Sequence, residues 1–159
     1  MDSEEKRGWH REIRIPSTAA IYSHPVHPML VTFPIAFLIG ALLSDLVYLW
    51  SVDPFWARAS FWLIAAGLAG GTAAAVAGMT DFLSMPKVRG KIRSWGHFLA
   101  GITVLAFASA NLALRWTGPA ESVLPWGLLV SAITAIMLAF TGYLGGKLVF
   151  HELIGTYLP

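Results

Sequence analysis

Four apolar stretches, each long enough to cross a bilayer as a helix, leave this chain few folds to choose from. They run over about 29–50, 55–83, 95–116 and 123–150. A hydrocarbon core about 30 Å thick needs roughly 20 mostly apolar residues in helical form. Irregular backbone at that depth would leave amides without partners, so each stretch is expected to be helical. Polar or Pro/Gly punctuation bounds them: His24-Pro25-Val26-His27-Pro28, Ser51-Val52-Asp53-Pro54, the basic loop from Met85 to Gly90, and Thr117-Gly118-Pro119. Trp50, Trp56, Trp95, Trp116 and Trp126 cluster at these borders, as interfacial aromatics do. Pro34 inside the first stretch is tolerated where neighbouring helices can satisfy the freed carbonyl.

Composition agrees with that constraint. Only 13% of the 159 residues are charged and 56% are hydrophobic, against about 25% charged in a typical soluble domain. Mean hydropathy is +0.63. A soluble enzyme and a disordered chain are both excluded. The absence of Cys excludes a disulfide framework and any thiolate-held metal or Fe–S cluster.

The few charges orient the chain. Lys6, Arg7, Arg11 and Arg14 lie in the N-terminal tail, Lys87, Arg89, Lys91 and Arg93 in the middle loop, and Lys147 near the C-terminal end. Only Arg58 and Arg115 fall on the other side. The positive-inside rule then places both termini in the cytoplasm, with residues 1–23 a polar tail and 24–159 the membrane domain. The tail shows no signal-peptide pattern. The basic excess is thus a matter of topology and attraction to anionic lipid. No basic groove with interleaved aromatics suggests nucleic acid.

Polar residues within membrane helices face the bundle interior by default. His27, Val31, Pro34, Leu38, Ala41 and Asp45 share one face of the first helix through alternating steps of four and three. His97, Gly101, Val104, Ala108, Asn111 and Arg115 do the same in the third. Gly67, Gly71, Ala74, Gly78 and Asp81 mark the second helix, and Ala132, Ala135, Ala139, Gly142 and Gly146 the fourth. The expected fold is an all-α, up-down-up-down four-helix transmembrane bundle. At its outer end Asp45 and Arg115 are expected to pair beside Asn111 and Ser60, since a lone carboxylate there would be strongly disfavoured.

The inner end gathers His24, His27, Asp81, His97, Lys147 and His151, leaving His10 in the charged tail. Three uses of this layer stay open. His27 and His97, on diagonal helices, are candidate axial ligands of haem b, with Gly78, Gly101, Gly142 and Gly146 giving clearance or simply close packing. His24, His27, Asp81, His97 and His151 are candidate ligands of a divalent metal such as Zn, Fe, Mn or Ni. Without a cofactor, the layer would be a proton relay, or the end of a structural or assembly subunit of a larger membrane complex. No repeat between the two halves is strong enough to indicate a transporter fold. No nucleophile–base pair or phosphate-binding loop indicates an enzyme.

The spaced set of motifs resembles a known family. His24-Pro25-Val26-His27-Pro28 leads into a span with Pro34 and Asp45. Gly78-Met79-Thr80-Asp81 closes the second span. Arg93 and His97 open the third, which ends in Asn111 and Arg115. Thr141-Gly142-Tyr143-Leu144-Gly145-Gly146, Leu148-Val149 and His151 close the fourth. Together they are similar to the bacterial membrane family catalogued as domain of unknown function 2231, over roughly His24 to Gly155. The resemblance implies a four-helix inner-membrane module without an assigned activity. Some relatives are joined to a Rieske-type iron–sulfur domain, which implies redox work with a redox protein or membrane complex as partner. Glu152 departs from the His or Gly expected after His151 and weakens the latter as a ligand. A small redox module binding haem b or a metal, with self-association open, is the expectation taken to the structure.

Overall fold

The computed structural model describes residues 15–156. Lys6, Arg7, His10, Arg11 and Arg14 lie outside the described residues. Four helical segments are long and apolar enough to cross a membrane: Val26–Ser51, Pro54–Ser84, Ile92–Leu114 and Val123–Phe150. The first is broken at Val31 into α1, Val26–Leu30, and α2, Thr32–Ser51. The second is α3, Pro54–Ser84, and a single-turn helix α4, Pro86–Arg89, links it to α5, Ile92–Leu114. A wide π-type turn over Val123–Gly127 leads into α6, Leu128–Phe150. Two-residue strands β1, Ala20–Ile21, and β2, His24–Pro25, form a tight hairpin before α1.

Local chemistry sets these boundaries. Asp53 caps α3 by accepting the Phe55 amide at 2.9 Å, and Pro54 occupies the first turn, where a missing N–H does no harm. Val52 ends α2 in the left-handed region at φ 52°, reversing the chain directly into that cap. Both chain ends return to one face of the bundle. There the Ile15 amide donates to Leu153 O at 3.1 Å and the Gly155 amide to Ile15 O at 2.7 Å. Residues 15–23 are therefore joined to the membrane bundle, although sequence assigned them to a separate tail.

α2 packs on α3 and α6, and α5 packs on the same two, so α2 faces α5 across one diagonal and α3 faces α6 across the other. The inward stripes of the first three helices follow the expected spacing: Pro34, Leu38, Ala41 and Asp45 are buried, as are Gly67 and Ala74, and Val104, Ala108, Asn111 and Arg115. Small residues let large ones in. A Cβ on Gly67 would meet Leu38 at 2.8 Å, and one on Gly71 would meet Leu105 at 2.8 Å.

The fourth stripe is corrected. The buried positions are Ser131, Thr134 and Leu148, with Leu138 packed against the Leu38–Val104–Ala108 core. Ala139 and Gly142 are exposed. The helix is turned by about one residue, some 100°, from the Ala/Gly register, because Ser131 is drawn inward by its bonds to Asp45, Asn111 and Arg115.

One network closes the end of the bundle opposite the termini. Arg115 and Asp45 are both fully buried. Nη1 donates to Asp45 Oδ1 at 2.6 Å and to Ser60 Oγ at 2.9 Å. Nη2 donates to Asp45 Oδ2 at 2.7 Å and to Ser131 Oγ at 3.2 Å, while Nε donates to Asn111 Oδ1 at 2.9 Å. All five guanidinium N–H donors are thereby used. Ser131 Oγ donates to Asp45 Oδ2 at 2.6 Å and accepts from Asn111 Nδ2 at 2.8 Å. Each of the four membrane-length helices contributes at least one member. Gly127 leaves the room this needs, since a Cβ there would sit 2.8 Å from Arg115 Nη2.

Breaking this network from one side leaves a buried charge without its partner. Asp45→Ala or Arg115→Met should each destabilise the bundle by about 3–5 kcal/mol. The double variant Asp45→Leu/Arg115→Met should lose less than either single variant, as thermal unfolding in detergent would show.

Candidate functional site

The opposite end holds His27 and His97. His27 sits in α1 and its Nδ1 lies 2.7 Å from the carbonyl oxygen of Ala74 in α3. His97, in the second turn of α5, has Nδ1 3.1 Å from the carbonyl oxygen of Thr141 in α6. A carbonyl oxygen only accepts, so Nδ1 carries the proton in both rings and Nε2 of the neutral ring holds a lone pair. The two ring nitrogens point in nearly opposite directions, which turns each Nε2 away from the helix that anchors its ring. Among the described residues neither Nε2 makes a hydrogen bond. The ring centroids lie 5.9 Å apart with planes at 89°, across the bundle diagonal.

Glycine makes both anchors possible. A Cβ on Gly78 would lie 2.8 Å from His27 Nδ1, and one on Gly145 would lie 3.1 Å from His97 Cε1. Gly78 follows Ala74 by four residues, and Gly145 follows Thr141 by four. The same clasp occurs twice: a histidine of one helix enters over a glycine of the next and bonds the carbonyl one turn earlier. The repeat relates the first helical hairpin to the second, which the amino-acid sequence does not reveal. Gly145 was not among the expected site residues. The polar position Ser131 carried the signal, because its interhelical bonds fix the helix rotation that brings Gly145 inward.

The other candidates are placed elsewhere. Asp81 does not join the histidines. It accepts from Ser17 Oγ at 2.6 Å, Thr18 N at 2.8 Å, Thr18 Oγ1 at 2.9 Å and Ala19 N at 2.9 Å, holding the N-terminal segment across the bundle end. His24 is exposed, its Nδ1 donating to Tyr22 O at 2.8 Å within the hairpin. His151 is exposed beside Lys147, with Nε2 3.3 Å from Nζ. Among the described residues no three His, Asp or Glu side chains converge as a metal site. Of the glycines expected near a cofactor, Gly101 has no heavy atom within 4 Å of a built Cβ and so adjoins open space. Gly142 is exposed on the outside of α6, and Gly146 borders a surface cavity.

Apolar packing caps the histidine end. Phe82, Met85 and Val88 are buried together, with Ile15 and Ile154 against them. Phe82 stacks on Phe98 at 4.9 Å between centroids. Glu152 fastens the C-terminal segment to this cap, pairing with Lys91 and, at 2.6 Å, with Arg93. The hydrogen bond from Lys91, then that from Arg93, holds its carboxyl below the ordinary value of 4.5. Glu152 thus has a packing role that accounts for its place after His151.

A family model described as a predicted membrane protein (DUF2231) matches residues 23–157, and the chain belongs to that family. No curated protein and no solved structure matches it.

The Glu152 clamp has a defined pH sign. A carboxyl whose folded pKa is depressed stabilises the fold above its unfolded pKa, and that contribution is lost as pH falls through the folded value. Thermal stability should therefore drop below about pH 4.5, and Glu152→Gln should flatten that part of the profile while lowering stability at pH 7. Gly78→Val should separately displace His27 from Ala74 and lower thermal stability by about 1–3 kcal/mol.

Proposed function

We propose, from the premise that this is a DUF2231 membrane protein, that it is a small redox module whose two facing imidazoles, His27 and His97, ligate one metal centre. Haem b is the group whose needs match best. It brings four nitrogens of its own and asks the protein for two axial ligands, so the lack of a third converging side chain is no obstacle. One observation carries the reading: both Nδ1–H groups are committed to backbone carbonyls. That arrangement fixes the tautomer and orients the ring, as the outer-shell partners of metal-bound histidines do. The two ring centroids are 5.9 Å apart, so His27 and His97 would be the residues to hold such a group.

Haem iron bound there would supply one-electron exchange. The rest is done by the chain. The Ala74 and Thr141 carbonyls hold the two rings, Gly78 and Gly145 clear their approach, and Gly101 adjoins open space one turn deeper. Phe82, Met85 and Val88 pack together at the same end of the bundle. Lys87, Arg89, Lys91, Arg93 and Lys147 stand at this end, so the positive-inside bias assigns it to the cytoplasmic side of the membrane. A redox protein or membrane complex that exchanges electrons with the module would then approach from there. One feature favours a cofactor-free alternative. The two rings already meet edge to face, which would also serve as a structural lock or proton-holding pair in a larger complex.

An optical spectrum separates the two. Protein purified in detergent from haem-sufficient cells should give sharp α and Soret bands in the reduced-minus-oxidised difference. His27→Ala and His97→Ala should each abolish them, while Asp81→Asn should leave them in place. A colourless protein that also contains no transition metal by elemental analysis would overturn the redox reading and leave the lock.

A further inference from the structure

Among the described residues Lys147 has no counter-charge. It lies in the last turn of α6, on the side turned away from the bundle, whereas Leu148 beside it is buried. The ion pairs among the described residues are Lys91–Glu152, Arg93–Glu152 and Arg115–Asp45. Glu152, the carboxylate nearest in sequence, is thus already engaged twice. The Lys147 ammonium instead contacts His151 Nε2 at 3.3 Å and lies 5.4 Å from the centre of the Tyr143 ring. A cation at a helix C-terminus is favoured by the helix dipole. The dipole does not explain why a second nitrogen base and a hollow accompany it.

The hollow is a cavity of about 250 Å³ lined by Tyr143, Gly146, Lys147, Phe150 and His151. Tyr143 and Phe150 are 62% and 81% exposed, so its walls stand outside the bundle, where the bilayer lies against the protein. Gly146 forms the floor, its nearest neighbour to a built Cβ being Phe150 at 4.0 Å. One turn deeper Gly142 is exposed and has nothing within 4 Å. A strip without side chains therefore runs from the two nitrogen groups down the helix towards the membrane interior. A donor ammonium at the head, steadied by His151, and an apolar track below match a molecule with an anionic head and a hydrocarbon tail.

We propose that Lys147, His151 and the groove over Gly146 and Gly142 bind one anionic phospholipid. The phosphate accepts hydrogen bonds from Lys147 Nζ, which His151 Nε2 holds in place by accepting from the same ammonium, and an acyl chain lies along the glycines between Tyr143 and Phe150. Such a site differs from general attraction to an anionic surface in having a stoichiometry of one and in depending on the groove as well as the charge.

Native mass spectrometry of the full chain in detergent tests this, with phosphatidylglycerol and phosphatidylcholine supplied together. The wild type should retain one phosphatidylglycerol in preference to phosphatidylcholine. Lys147→Gln should lower that preference about fivefold, the scale of one basic residue at an anionic membrane surface. Lys147→Arg should keep it, and Gly146→Leu should reduce it by blocking the groove with the charge intact. Lys87→Gln, a charge loss on the loop, should change nothing. Equal retention of the two lipids, the same loss from Lys87→Gln as from Lys147→Gln, full competition by inorganic phosphate, or a dimer abolished by Gly146→Leu would each overturn the proposal. The last result would make this face a contact between copies of the chain.

Discussion

A guanidinium and a carboxylate buried in an apolar bundle constrain everything else in this structure. Neither charge can remain there unless every donor and acceptor is met, because no water is available to make up a shortfall. Arg115 meets that condition through partners on all four membrane-length helices, and the requirement fixes their rotation together. Ser131 is the clearest case: its hydroxyl donates to Asp45 and accepts from Asn111 and Arg115, so α6 cannot turn without breaking three contacts. The rotation set at this end places Thr141 and Gly145 inward at the other.

The histidine end is held by geometry of a different kind. Its anchors are backbone carbonyls, which any helix offers, reached over glycines, which few positions provide. The clasp made by His27, Ala74 and Gly78 is repeated by His97, Thr141 and Gly145. Two hairpins with little sequence likeness therefore present their rings to the same point. This doubling places one histidine of each hairpin at the same end of the bundle. Apolar packing of Phe82, Met85 and Val88 lies at the same end, where Asp81 and Glu152 tie down the adjoining chain segments.

Much of the site could be read from residue spacing, and the failures share one cause. The His27-to-Asp45 and His97-to-Arg115 stripes were legible because polar residues at steps of three and four mark one helix face without ambiguity. The α6 stripe was misread because Ala132, Ala135, Ala139, Gly142 and Gly146 repeat at the same steps, and small residues suit a lipid-facing groove as well as a packed interior. Asp81 was grouped with the histidines because it ends the same helical face. Its actual partners, Ser17 to Ala19, lie 62 to 64 residues away in a segment with no periodic signal.

The amino-acid sequence by itself determined that this is a four-helix membrane bundle, because length, apolarity and scarcity of charge admit no other way to satisfy the backbone in lipid. It also determined that Asp45 and Arg115 share one end and the histidines the other, since helical rise converts sequence position directly into depth. Only the tertiary structure decided how α6 is rotated, which glycines meet a histidine, and that Lys147 stands beside His151 on the outer face of α6. Those outcomes depend on simultaneous hydrogen-bond satisfaction and steric fit among several helices, and no single stretch of sequence carries that information.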